Sequence, residues 1–337
     1  MNWLGEIPEI WSKNTTLKTI GHTMKKRNLK VRTIRPISQK IVAGLRKVSS
    51  RKVVDISELR DSKIHAEDLE KTVIKDKELA ELDPLHGVYV YAQNKISVMA
   101  EQLGELPAMS KLVNAYADAQ DEYMPSGPPI SPLTNSYFSC WGFFDLCAGM
   151  KKETFGTVII DMCNYLNVDP GLIKIIEHMQ NSRMGVYVHE GVSGKFTKLR
   201  ELITEKEIEA IIPSGYVGRS GEMLLARIMP EPFPELNYGY SVVFTTPYVL
   251  SEMQTGRFVL ANEDKWLSFF ERSQESTKIN DKKRSYEILM KYGLNRHYWN
   301  EYIHEGYVNY QKDMILLAGF PDIALSRPHS KENSDRF

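Results

Sequence analysis

"MGVYVHEGVSGKFTKLRELITEKEIEAIIPSGYVGRSGEMLLARIMP" runs from Met184 to Pro230, and its reading decides the fold. Upstream of it, apolar residues recur every three or four positions; from Met184 they alternate. Alternation places successive side chains on opposite faces of a strand, whereas the longer period marks one face of a helix. Four runs rich in β-formers fill the stretch: MGVYVHEG, GKFTKLRELI, KEIEAIIPSG and GEMLLARIMP. A fifth, GYSVVFTTPYVL, ends at Leu250. Gly, Pro, Ser and Asn separate them, as expected of turns. Five short strands in about 70 residues predict a small antiparallel sheet or partly open barrel of SH3-like or OB-like type.

Helical patterns come before it. Residues 64–82 read as a polar helix or a charged linker. Asp83 is suited to an N-cap and Pro84 to a first helical position, and Leu85, Val88, Ala92, Ile96, Met99 and Leu103 then form one stripe, stopped by Gly104. A second helix is expected from Pro107 to Asp121, with Leu112, Val113 and Tyr116 inward. From Tyr123 to Phe144 there is no Lys, Arg, Asp, Glu or His over 22 residues. The prolines of its first half make a rigid connector. Tyr137, Phe138, Trp141 and Phe144, with Cys140, Phe143 and Cys147 on adjoining faces, then predict a buried central helix, a buried strand being the alternative. Charge is absent there because ionised groups are costly in a core. Asp145 ends the silence and needs a partner if buried; Arg183 is the candidate. Helices over Glu153–Leu166 and from Asp169-Pro170 follow; Phe155, Val158, Ile159, Met162 and Leu166 mark the first, and Leu172, Ile175, Ile176 and Met179 the second.

After Leu250 the helical period returns. Asn262 and Asn280 read as caps, and Asn295 as the cap of a long aromatic helix ended by Gly319 and Pro321. The fold class is therefore α+β: a helical domain, a small antiparallel five-stranded sheet or barrel, and C-terminal helices. The expected divisions are a basic arm at 1–54, a helical domain at 55–183, a β domain at 184–255, a helical region at 256–325 and a disordered tail at 326–337.

The net charge of the 337-residue chain is zero, but its distribution is uneven. Between Ile10 and Val54 there are 13 basic residues and no acid, which leaves 30 basic against 43 acidic residues elsewhere. Within the arm, Ile37, Ile41, Val42, Leu45 and Val48 recur at helical spacing behind Pro36, and Lys40, Lys47 and Arg51 share the other face. Such a basic amphipathic helix grips phosphate, lies on an anionic membrane, or docks on acidic protein, its own body included. The expected anion-binding residues are Lys25, Lys26, Arg27, Lys30, Arg32, Arg35, Lys40, Arg46, Lys47 and Arg51, with Arg219 at the tip of a glycine-rich loop. Aromatic residues are not interleaved with the bases, so base stacking is not indicated in the arm.

Cys140, Cys147 and Cys163 lack paired spacing, which fits reduced thiols and a cytoplasmic location. The N-terminal MNWLGEIPEIWSK lacks the pattern of a secretory signal, and the uncharged stretch is too rich in proline and polar residues to span a bilayer.

Several motifs fall short of a chemistry. EGVSGKFT carries Gly191, Gly194 and Lys195 but lacks the first glycine and the final hydroxyl of a phosphate loop; a hairpin turn is the better reading. Gly215, Gly218 and Gly221 in GYVGRSGE have the wrong spacing for a dinucleotide fingerprint and read as an inter-strand loop. His297, Glu301, His304 and Glu305 fall on one helix face, but a di-metal site needs a second copy of the Glu-x-x-His pair. A polar helix face is preferred there, and neither metal nor cofactor is expected.

DEYMPSGPPISPLTNSYFSCWGFFDL, QNSRMGVYVHEG, PSGYVGRSGEMLLARIMP and VVFTTPYVL resemble phrases of predicted bacterial proteins of unassigned function, over roughly residues 121–250. The resemblance implies a bacterial, cytoplasmic protein and carries over no functional residue.

These readings converge on a non-enzymatic binding or adaptor protein whose basic arm engages nucleic acid or a ribonucleoprotein. The alternative is a hydrolase-type enzyme with a pocket between the aromatic helix and the β domain, for which Asp145, Arg183 and His189 are the residues to examine.

Overall fold

A computed structural model describes residues 35–50, 74–124, 133–292 and 306–319. The chain divides into two compact units, one from residues 1–114 and 147–180, the other from 115–146 and 181–337.

The first unit holds α1 (Pro36–Ser49), α2 (Asp76–Leu79), α3 (Pro84–Gly104) and the first turn of α4 (Ser110–Tyr123). The second unit takes the rest of α4 and α5 (Asn135–Phe144); the first then resumes with α6 (Phe155–Leu166) and α7 (Pro170–Asn181, up to Gln180). Asp83 caps α3, its Oδ1 accepting the Leu85 N–H at 3.0 Å, and the whole expected stripe from Leu85 to Leu103 is buried. Thr154 and Thr157 form a reciprocal cap at the start of α6, two residues later than the apolar period suggested. Leu166, expected inward, is 48% exposed, because Asn167 has turned left-handed and ended the helix beside it. The apolar face of α1 is buried at Ile37 and Ile41 and packs against α6.

In the second unit α5 is the buried helix expected, with Tyr137, Phe138, Cys140, Trp141 and Phe144 inside. Thr134 caps it, accepting the Tyr137 N–H at 3.2 Å. Then come β1 (Met184–Ser193), β2 (Phe196–Glu201), β3 (Glu207–Ile211), β4 (Met223–Met229), β5 (Ser241–Val243), β6 (Tyr248–Gln254) and β7 (Arg257–Leu260). The hairpin reading of EGVSGKFT holds: Ser193 pairs with Phe196 across the two-residue turn Gly194-Lys195, and Gly194 has φ +62°.

The pairing order β1-β2-β3-β5-β4, with β4 returning to β1, closes a five-stranded barrel. It is mixed rather than wholly antiparallel, since β3 and β5 run parallel. The single run GYSVVFTTPYVL supplies two strands: β5 pairs with the end of β4 and β6 with its beginning, and the break falls before Pro247. Both faces of β4 and of the first six residues of β1 are covered. Tyr187, Leu224, Ala226 and Ile228 fill the barrel with Leu199, Ala210 and Val243. Met184, Val186, Val188, Met223 and Leu225 face outward into a second core built with Trp141 of α5 and the following helices.

Those helices are α8 (Glu263–Thr277) and α9 (Lys282–Tyr292), which bring Trp266, Phe269, Phe270, Tyr286, Leu289 and Met290 to this core. Asn262 caps α8 as expected; at α9 it is Asp281, not Asn280, whose carboxylate accepts the Arg284 N–H at 2.8 Å. Residues 306–319, expected as the end of a long helix, are instead the hairpin β8 (Gly306–Tyr310) and β9 (Ile315–Gly319). β9 adds parallel to β6 and buries Ile315 and Leu317. A short apolar run is ambiguous between helix and strand, and pairing along β6 decides it.

Candidate functional site

Three groupings collect the charged and aromatic residues of interest. The first is α1. Pro36 has no N–H to orphan, and the next two amides are satisfied from a distance: Ile37 N–H lies 3.0 Å from each Glu153 oxygen and Ser38 N–H 3.0 Å from Oε1. A buried carboxylate thus caps the positive end of α1. Just upstream, Arg35 donates to Asp161 Oδ2 and to the Thr157 carbonyl, both at 3.1 Å. Lys40, Arg46 and Lys47 are exposed on the opposite side. The Arg46 guanidinium sits 5.4 Å from the Tyr165 ring centroid. No carboxylate among the described residues pairs with Lys40 or Lys47. Lys25, Lys26, Arg27, Lys30, Arg32 and Arg51 lie outside the described residues, as do His297, Glu301 and His304.

The second is a buried ion cluster at the end of α5. Asp145 does not pair with Arg183. Its Oδ2 contacts Arg227 of β4, and its Oδ1 is 2.7 Å from the Lys291 ammonium of α9. Arg227 also donates to Ser182 Oγ at 3.2 Å, and Lys291 to the Ser182 carbonyl at 2.7 Å. Burial pushes the Lys291 pKa down to about 8; Asp145 resists this, and Arg227 adds to it. Burial pushes the neighbouring Cys140 thiol up to about 11, so it is held protonated and unreactive. Arg183 belongs to a different network, forked onto Glu201 at 2.6 and 3.2 Å and onto Glu287 at 2.6 Å twice, with the Tyr286 ring 4.8 Å away. The sequence placed Asp145 beside the wrong arginine because Arg227 sits inside the otherwise apolar strand MLLARIM. A lone charge in such a strand was the available signal.

His189 is buried in β1. Its Nε2 meets the Val217 carbonyl at 2.9 Å and its Nδ1 accepts the Gly191 N–H at 3.2 Å, which requires the neutral ring with the proton on Nε2. Both ring nitrogens therefore hold backbone. The loop it supports carries Arg219, which is exposed; beneath it, Glu222 accepts the Arg219 N–H at 2.8 Å and the Tyr216 hydroxyl at 2.5 Å. Asp145, Arg183 and His189 are thus each committed to separate partners. A small cleft in this unit, with room for about one water, is lined by Ile203, Phe270, Gln274, Lys282, Ser285, Tyr286 and Leu289, none of those three among them.

The third grouping, missed in the sequence, is at the β1–β2 turn. Phe196 and Tyr240 have ring centroids 4.9 Å apart, Tyr238 is 5.8 Å from Tyr240, and the Lys195 ammonium lies 5.3 and 5.1 Å from the Phe196 and Tyr240 centroids. The rings come from segments about 40 residues apart, so no local pattern joins them.

Among the described residues no group of His, Cys, Asp and Glu is placed to hold a metal ion, and no helix is long and apolar enough to cross a membrane. No family model matches the chain, and searches of curated proteins and of solved structures return no match.

Proposed function

We propose that the chain is a non-enzymatic binding or adaptor protein that engages an anionic partner, nucleic acid or a ribonucleoprotein, through its basic N-terminal arm. One observation carries this reading. The arm's helix α1 is fixed by its apolar face and its N-terminus, while Lys40, Arg46 and Lys47 stay exposed. Its own carboxylates hold Arg35 alone among the described basic residues of the arm. Among the described residues, Lys40, Arg46 and Lys47 are therefore left to face a partner, and phosphate is the anion that helix-spaced cations suit. The same packing argues against a membrane surface as the target, because Ile37 and Ile41 are already buried in protein.

The test is a salt titration. Full-length protein and the charge-reversed K40E/K47E variant are titrated with fluorescent duplex and single-stranded oligonucleotides. Affinity for duplex should fall with log salt by about 0.9 per phosphate contacted, and the variant should lose roughly two contacts' worth of that slope. Binding that is flat in salt, or unchanged by the reversal, refutes the proposal.

A further inference from the structure

We infer a second binding site, for a quaternary or methylated ammonium group, at the ring cluster Phe196, Tyr238 and Tyr240, where the chain's own Lys195 now stands in for the ligand. The inference is independent of the anionic partner proposed for α1.

Aromatic faces carry partial negative charge and attract cations within about 6 Å of the centroid. Two rings here already satisfy that distance with Lys195. The third, Tyr238, meets Tyr240 edge-on at 68°, which turns the pair into a corner rather than a flat stack. Tyr240 is buried while Phe196 and Tyr238 are half-exposed, so the cluster has an inner ring and two rims. Lys195 occupies the second position of a two-residue turn and is exposed. The pairing of Ser193 with Phe196 closes the hairpin through backbone, so the ladder does not depend on the Lys195 side chain.

The surrounding charge selects between two ligands that aromatic clusters bind. A nucleobase would bring phosphate with it. Beside the rings, however, Glu231 accepts the Tyr238 N–H at 2.7 Å and the Gly239 N–H at 3.3 Å, which fixes a carboxylate there. The run EPFPELNYGY, Glu231 to Tyr240, adds Glu235 and has no basic residue. The Glu231 carboxylate beside the Tyr238 backbone disfavours a phosphodiester and favours a bulky, weakly hydrated cation. A trimethylammonium group exceeds lysine in this respect, because its methyls contact the ring faces and it loses little hydration on leaving water.

Two sources of that group are separable by experiment. Protein labelled at Phe and Tyr is titrated with choline and with a peptide carrying trimethyllysine, and ring resonances are followed by NMR. The controls are dimethylbutanol, the uncharged isostere of choline, and the same peptide with a neutral tert-butyl side chain. The charged ligands should shift the rings and the neutral ones should not. K195A, which removes the resident cation, should bind roughly two- to fivefold tighter, and Y238A should bind more weakly while keeping the native circular dichroism. A response to the peptide at concentrations where choline is silent identifies a protein side chain as the source; equal responses identify a small molecule. Equal shifts from charged and neutral isosteres overturn the inference, as does silence of both in the K195A protein.

Discussion

Asp145 and Arg227 meet where water does not reach: each side chain is 1% exposed, and Lys291 closes the other carboxylate oxygen at 2.7 Å. Buried Arg227 and partly buried Lys291 thus meet on one carboxylate. Asparagine at 145 keeps the shape and removes the charge. Breaking a buried pair on one side leaves the other uncompensated and costs about 3–5 kcal/mol. D145N should therefore lower the urea midpoint by that equivalent. E287Q, at a residue whose side chain is 54% exposed, should lower it by less than about 1 kcal/mol. A D145N protein as stable as the parent would remove the structural role assigned to Asp145 and reopen a catalytic one.

The same cluster sets a pH dependence. Lys291 titrates near 8 when folded and near 10.5 when unfolded. Between those values the unfolded chain binds more protons, so this residue makes stability rise with pH; below about 8 both forms are protonated and its contribution is flat. Cys140 acts in the opposite sense. Its folded value of about 11 lies above the ordinary 9, so the native state keeps its proton longer and stability is lost as pH climbs through that interval. The difference between the native protein and K291M isolates the lysine. That difference should move in favour of the native protein by roughly 1–3 kcal/mol from pH 8 to 10 in urea denaturation. A level difference across that range would show that the ammonium is not destabilised by burial.

Gly142 on α5 makes a sharper packing test. A Cβ there would stand 2.3 Å from Tyr116 Cε2, inside any allowed contact. Alanine would ordinarily stabilise a helix interior by about 1 kcal/mol over glycine. Here overpacking should reverse the sign, and G142A should lose about 1–3 kcal/mol. Thermal denaturation of G142A and of G142A/Y116L checks it, because the second variant vacates the ring position and should recover part of the loss.

The α3 stripe and the barrel runs were legible because each has a strict period over enough residues to name its element. The burial of α5 was legible from its missing charge, but its short aromatic run suits helix or strand alike. The division of GYSVVFTTPYVL into β5 and β6 was not, since it depends on which parts of β4 each half meets. Nor was the hairpin at 306–319, whose place follows from pairing with β6. The basic face of α1 was readable as charge, but not its anchor: Glu153 is over 100 residues away in sequence. The sequence reading paired Asp145 with Arg183, and only the placing of β4 shows that Arg227 is the partner. Long-range ion pairs and ring clusters such as Phe196 with Tyr240 are set by tertiary register, which a linear pattern does not encode.

That distant anchor gives the proposal for α1 its most direct structural lever. Glu153 touches no solvent-facing base, yet it holds the Ile37 and Ser38 amides at 3.0 Å. E153A orphans both donors and removes a negative charge from the positive end of the helix, a loss of about 1–2 kcal/mol by the standard of N-caps. Hydrogen exchange should therefore accelerate through the first turn of α1 in E153A, with E153Q intermediate because one carbonyl oxygen still accepts. If α1 presents Lys40 and Lys47 to phosphate, oligonucleotide affinity should drop in the same order, with the salt slope nearly unchanged, since no base has been removed. Faster exchange with undiminished binding would mean that the fixed geometry of α1 is irrelevant to its partner. Unchanged exchange would mean that the burial of Ile37 and Ile41 anchors the helix by itself.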